Sequence, residues 1–77
     1  MSSSASTRVN HREFARFYAR ELVKIYLIEQ RFSDANFRVI VDLMRKYDPN
    51  TAKQLVILYS FGKYAKIVEK LKDYFKL

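Results

Sequence analysis

The sequence predicts an all-α fold, a compact four-helix bundle preceded by a disordered N-terminal tail. Its 77 residues include one glycine and one proline, too few for the turns of a β-rich or loop-rich architecture. Apolar residues recur instead at the 3.6-residue period of an α-helix. Six Phe and six Tyr supply side chains large enough to fill a small core. A chain of this length forms a single domain.

The tail is predicted over residues 1–9, which are rich in serine and show no apolar periodicity. The first and longest helix is predicted over about 10–31. Asn10 is a suitable N-cap, with Glu13 three residues later as in a capping box. We expect its core face to consist of Phe14, Phe17, Tyr18, Leu22, Ile25, Ile28 and Phe32.

Three further helices follow from boundary signals in the rest of the chain. Ser33 is a plausible N-cap, and Asp48 stands before Pro49, which suits the first turn of a helix. Gly62 has the position of a glycine that ends a helix. The three helices are predicted over about 34–47, 49–61 and 63–75.

The basic balance of the chain favours a polyanionic partner. Fifteen Lys and Arg against eight Asp and Glu give a net charge of +7, carried by the first helix and by the C-terminal third of the chain. Nucleic acid is the foremost polyanion of this kind. A charge of this size also serves solubility alone.

The composition excludes cysteine-based sites and argues against a membrane or secreted location. The chain contains no cysteine, so disulfides and thiolate metal sites are ruled out. We expect no membrane span and no secretory signal, because the longest apolar run has only five residues, and cytoplasmic residence follows as the default. Charged surfaces with few loop glycines are also typical of proteins from thermophiles.

Catalytic and cofactor chemistry find no support in the sequence. His11, the only histidine, is placed at the start of the first helix, where no nucleophile accompanies it. The carboxylates are scattered among cations, and one glycine cannot form a phosphate-binding loop. We therefore expect a non-enzymatic protein with no metal, no cofactor and no small-molecule substrate.

A row of cations on the first helix is the strongest candidate for a binding site. Its members recur every four residues, and further lysines lie on the predicted exterior of the fourth helix. Such a surface suits contact with backbone phosphate. The alternative is a solvated face, partly neutralised by the i,i+3 pairs Glu13–Arg16 and Glu21–Lys24. The candidate nucleic-acid-binding residues are Arg8, Arg12, Arg16, Arg20, Lys24, Lys63, Lys66 and Lys70.

A helix-turn-helix formed by the third and fourth helices around Gly62 is a sharper hypothesis. Two residues disagree with it. Leu58 stands where the first helix of such a motif usually has a small residue, and the charged Lys63 follows the glycine. An ordinary bundle with a glycine C-cap explains the same pattern.

The alternative function is that of an accessory or adaptor subunit. The second half of the first helix is apolar nearly all round, so one core face does not account for all its side chains. Val23, Tyr26 and Leu27 are the candidate partner-binding residues, with a larger protein or a second copy of the chain as the partner. This hypothesis predicts a contiguous exposed apolar patch on the first helix.

Overall fold

The computed structural model describes residues 10–77 and confirms the all-α prediction for them. That part of the chain contains four helices and no strand. The predicted tail, including Arg8, lies outside the described residues. The helices are α1 (His11–Glu29), α2 (Asp34–Met44), α3 (Pro49–Ser60) and α4 (Tyr64–Phe75).

The predicted N-caps of the first three helices are confirmed by hydrogen bonds. The side-chain oxygens of Asn10, Ser33 and Asp48 accept from the backbone N–H three residues later, at 3.1, 3.2 and 3.2 Å. Each bond satisfies one of the amides that the first helical turn leaves without a partner. Short polar side chains therefore fix where these helices begin.

The first two helices end earlier than predicted. α1 stops at Glu29 because Gln30 adopts a left-handed conformation with φ of 55°. α2 stops at Met44 and continues as a turn, in which the Asp48 amide donates to the Met44 carbonyl at 2.6 Å. In both places the apolar pattern continues past the last helical residue, so the pattern alone could not locate the end.

Gly62 ends α3 as predicted. Its φ of +69° is left-handed, a conformation that glycine adopts without steric cost. The Gly62 amide donates to the Tyr59 carbonyl at 3.0 Å and the Lys63 amide to the Leu58 carbonyl at 2.9 Å. This pair of bonds is a Schellman motif, which turns the chain sharply into α4.

The helices pack in a ring, in which each one contacts its two neighbours. α1 lies against α2 and α4, and α3 closes the ring between α2 and α4. The contact between α1 and α2 is the most extensive. The core between them consists of Ala15, Ala19, Leu22, Val23, Phe37, Ile40, Val41, Met44, Ala52, Leu55, Ile67, Val68, Leu71 and Phe75.

The predicted core face of α1 was wrong in part. Tyr18 and Phe32 do pack against the core. Leu22 is buried, but Phe14 and Phe17 are 51% and 57% exposed and Ile28 is 71% exposed. The helix turns Ala15 and Ala19 inward instead, both with no exposed surface. Small side chains allow closely spaced helix axes, and α1 makes its most extensive contact with α2. Close packing of α1 therefore leaves its larger side chains outside.

An aromatic cluster joins the α1–α2 connection to α2, α3 and α4. The Phe32 ring stacks on Tyr64 with centroids 4.6 Å apart, and Phe37 stacks on Tyr59 at 4.5 Å. The Tyr59 hydroxyl donates to Asp34 Oδ1 at 2.8 Å. Among the four rings of this cluster, Tyr64 leaves the largest fraction of its surface exposed, 39%.

Candidate nucleic-acid interface

A basic groove lies between α1 and the residues that follow α4. It has a volume of about 370 Å³ and is lined by Arg16, Arg20, Val23, Lys24, Lys76 and Leu77. Four of these six side chains are cationic, and none is a carboxylate. Three of the four belong to the row predicted on the first helix, and we call this site the basic groove.

Arg16 also helps to build the groove. Its Nε donates to the backbone carbonyl of Phe75 at 3.2 Å, and Phe75 is the last residue of α4. Carbonyls in the last turn of a helix lack intrahelical partners and carry partial negative charge, so a guanidinium there is stabilising. Arg16 thus holds the end of α4 against α1.

Arg12 is committed to packing on α4. Its guanidinium carbon lies 5.6 Å from the ring centroids of both Tyr74 and Phe75. Both distances are within the range of cation–π attraction. The predicted row therefore divides into two parts. Arg12 and Arg16 are partly used within the protein, whereas Arg20 and Lys24 extend exposed from the middle of α1.

The cations of the basic groove form no close ion pair with a described carboxylate side chain. Within residues 10–77, the ion pairs closer than 4.0 Å are Arg31–Glu29 and Arg45–Asp42. Neither pair lies in the groove, and the expected Glu13–Arg16 and Glu21–Lys24 pairs are not formed. The like charges along α1 therefore lack the intrahelical compensation that would make the row a solvated, self-balanced face.

The predicted α4 lysines do not join this groove. Lys70 lines a separate, mostly apolar hollow against α3, together with Gln54, Ile57 and Leu58. Lys63 immediately precedes α4, and Lys66 is exposed one turn before Lys70. The lining of the basic groove includes Lys76 but none of Lys63, Lys66 and Lys70. The α4 lysines therefore do not line the surface formed by the α1 row.

Lys76 is the member of the groove that the sequence did not predict. It follows α4 and adopts a left-handed conformation with φ of 56°. The next amide, of Leu77, donates back to the Lys72 carbonyl at 2.9 Å. This turn brings the chain beyond α4 to the basic groove. The sequence contains a signal for a lysine at this position, because cations are favoured at helix C-termini.

A polar network connects the start of α3 to α4. Asp48 accepts hydrogen bonds from the Tyr74 hydroxyl at 2.6 Å and from the Thr51 hydroxyl at 2.8 Å. The bond from Tyr74, followed by those from Thr51, lowers the pKa of Asp48. Burial and the bond to Asp48 raise the pKa of Tyr74. The nearby Tyr47 hydroxyl is buried without a partner among the described residues.

We expect Asp48→Ala to lower the free energy of unfolding by about 2 kcal/mol at pH 7. Roughly half is the lost N-cap, and roughly half is the lost bond from Tyr74. Because the folded pKa of Asp48 is depressed, its ionised form stabilises the fold above about pH 4, and this contribution is lost as pH falls through the folded pKa. Urea unfolding at several pH values measures both effects.

Asp48→Asn is the matched control for this prediction, since asparagine also caps helices but carries no charge. The stability difference between the parent protein and Asp48→Asn should narrow from pH 7 to pH 2.5. A difference that is the same at both pH values contradicts the role given to the ionised carboxylate.

The predicted partner-binding residues do not form one contiguous surface patch. Val23 is 7% exposed and belongs to the core, and Tyr26 packs against that core from its margin. Both face inward because α1 is turned to bury Ala15 and Ala19. Only Leu27, 61% exposed, is available to a partner. The exposed apolar surface of α1 lies mainly elsewhere, at Phe14, Phe17 and Ile28.

Residues 10–77 provide neither a cluster of metal ligands nor a membrane-spanning helix. This part of the chain contains no group of three or more His, Asp or Glu side chains placed to hold a metal ion. Of its four helices, none combines the length and the apolarity needed to cross a bilayer.

The fold and the groove define a small, basic, all-α protein. Its distinguishing feature is a groove beside the longest helix that is lined by four cationic side chains. Comparisons with known protein families, with curated proteins and with solved structures found no match.

Proposed function

We propose that the protein is a non-enzymatic nucleic-acid-binding protein that contacts mainly backbone phosphates through the basic groove. The observation that carries this proposal is the composition of the groove. Arg16, Arg20, Lys24 and Lys76 meet there, and no Asp or Glu side chain belongs to the lining. An arrangement of like charges that lacks internal compensation is stabilised when an anionic partner binds.

The spacing of the cations supports an extended ligand. Arg16 and Lys24 are two four-residue steps apart on α1, about 12 Å along its axis. That distance corresponds to roughly three to four base pairs along a DNA duplex. Arg20 between them offers a planar fork suited to bidentate phosphate contact. A strand of phosphates fits this row better than one small anion does.

The types of side chain favour phosphate over bases as the main contact. Around the groove, Lys24 and Lys76 present single ammonium groups, which suit phosphate oxygens but carry little base specificity. The exterior of α4 has lysines and no arginine, asparagine or glutamine to read base edges. We therefore expect binding with strong salt dependence and weak sequence preference.

A salt titration of binding tests the proposal. Fluorescently labelled duplex DNA, single-stranded DNA and RNA are titrated with the full chain between 50 and 300 mM NaCl. If all four groove cations contact phosphate, the logarithm of the association constant should fall with a slope of about −3.6 against log salt for duplex DNA, and about −2.8 for single strands. Scrambled sequences of equal length should bind equally.

Two results would overturn the proposal. One is the absence of binding to all three polymers at 50 mM NaCl, where phosphate contacts are strongest. The other is an affinity that does not change with salt, because contacts to phosphate displace condensed counterions.

A further inference from the structure

The face of α1 that points away from the core carries an ordered stripe of side chains. We call this set the outer stripe: Phe14, Phe17, Glu21, Lys24 and Ile28. Its members alternate between steps of three and four residues, the spacing of positions that meet a partner helix in a coiled coil. Its three apolar members are 51%, 57% and 71% exposed. The stripe is thus an amphipathic seam that no other described helix covers.

The amount of exposed surface is enough for a weak interface. Phe14 and Phe17 each leave roughly 100 Å² of ring surface to water. With Ile28 and the side chains beside the stripe, two copies facing each other would bury roughly 800 Å² in total, since Phe14 lies near the end of the paired helices and is covered only in part. That area falls at the low end for specific association. The stripe therefore fits a weak, reversible contact rather than an obligate one.

The two charged members of the outer stripe identify the partner. Glu21 and Lys24 interrupt it with opposite charges. If a second α1 runs antiparallel so that Glu21 lies opposite Lys24 of the other copy, Lys24 also lies opposite the other Glu21. The same register places each Phe17 opposite the other Ile28, because their numbers add up to 45, as 21 and 24 do. Each Phe14 lies opposite position 31, beyond the end of the other α1. A parallel pair in register would place Glu21 against Glu21 instead.

We infer that the protein forms a two-fold symmetric dimer through antiparallel pairing of the outer stripes. The charge pairs and the apolar pairs fall into one register, which is the self-complementarity that an isologous interface requires. Nothing in this inference depends on nucleic acid binding. The occupant of the stripe is a second copy of this chain.

The dimer would place both basic grooves on one side. Arg16 and Arg20 flank one edge of the outer stripe, and Tyr18 and Ile25 flank the other, as helical geometry requires. The two-fold axis of an antiparallel helix pair is perpendicular to the plane of the pair. It therefore brings the same edge of each helix to the same side. Two cationic grooves would face one polyanion together.

Charge exchange on the stripe is the sharpest test. Sedimentation equilibrium of the full chain without nucleic acid, from 10 µM to 1 mM, should show a monomer–dimer equilibrium with a dissociation constant between about 10 µM and 1 mM. Glu21→Lys and Lys24→Glu each place like charges opposite one another twice. Each should weaken the dimer at least tenfold, whereas the double exchange should restore it to within about threefold.

Matched variants separate this effect from net charge. Glu69→Lys and Lys66→Glu make the same charge changes at exposed positions of α4, and they should leave the dimer constant within about threefold. Phe17→Asp should abolish the dimer. Circular dichroism and thermal unfolding verify that each variant is folded.

Three results would overturn the inference. The first is a parent protein that remains monomeric up to 1 mM, which would leave the stripe to a different protein. The second is a dimer insensitive to Glu21→Lys, and the third is a double exchange as weak as the single ones. None of them bears on the salt titration against nucleic acid.

Discussion

Leu22→Ala is expected to lower the free energy of unfolding by about 3 kcal/mol, within the range of 2–5 measured for such changes in packed cores. Leu22 has no exposed surface and lies on the face of α1 that packs against the rest of the bundle. A domain of this size has a total stability of only about 4–12 kcal/mol. The midpoint of thermal unfolding should fall by about 12–24 °C.

Phe17→Ala is the matched control on the same helix. It removes a larger side chain, but that side chain is 57% exposed, and its ring forms a T-shaped pair with the neighbouring Tyr18. We expect a loss below about 1 kcal/mol, as for exposed positions in general. Both variants are measured by urea unfolding near 0.5 µM, well below the expected dimer constant of about 10 µM to 1 mM. A larger loss from Phe17→Ala than from Leu22→Ala would contradict the orientation of α1.

The helix boundaries that depend on local chemistry were predictable. An N-cap is a bond between a side chain and an amide three residues away. Asn10, Ser33 and Asp48 can therefore be recognised as N-caps from the sequence alone. Gly62 likewise marks the end of α3 in the sequence, because the left-handed conformation found there strongly favours glycine. The early end of α1 was not predictable in this way. Gln30 adopts a similar conformation without a side chain that signals it.

The orientation of α1 depended on information that one helix does not contain. Its sequence carries two apolar faces, and periodicity alone does not say which of them meets the other helices. The larger side chains predicted one face, yet the bundle buries Ala15 and Ala19 with Leu22 and Val23. Packing selects by shape as well as by apolar area, and the shape of the neighbouring helices was unknown.

The candidate site also has a part that the sequence of one helix determines and a part that helix packing determines. The α1 row was predictable, because its spacing of four residues is a property of one helix. Two other features of the site depend on how the helices pack. The chain after α4 brings Lys76 to this row, and Lys70 lies against α3. The predicted set of cations is therefore spread over two surfaces, of which only the basic groove brings four cations together.

Neutralising three cations of the basic groove should nearly abolish binding to nucleic acid at moderate salt. The variant Arg20→Gln, Lys24→Gln, Lys76→Gln removes the exposed members and retains Arg16, which holds α4 in place. At 50 mM salt each lost phosphate contact weakens binding by about tenfold, so the triple variant should bind duplex DNA up to about 1,000-fold more weakly. Its salt slope should fall from about −3.6 to about −0.9.

Three α4 lysines provide a control with the same loss of net charge. We expect Lys63→Gln, Lys66→Gln, Lys70→Gln to weaken binding less than about tenfold and to leave the slope nearly unchanged, because these residues act only through the long-range field. Both triple variants are compared by fluorescence anisotropy at matched salt, after thermal unfolding has shown that they are folded. Equal losses in the two variants would mean that net charge, and not the groove between α1 and the end of α4, governs the affinity.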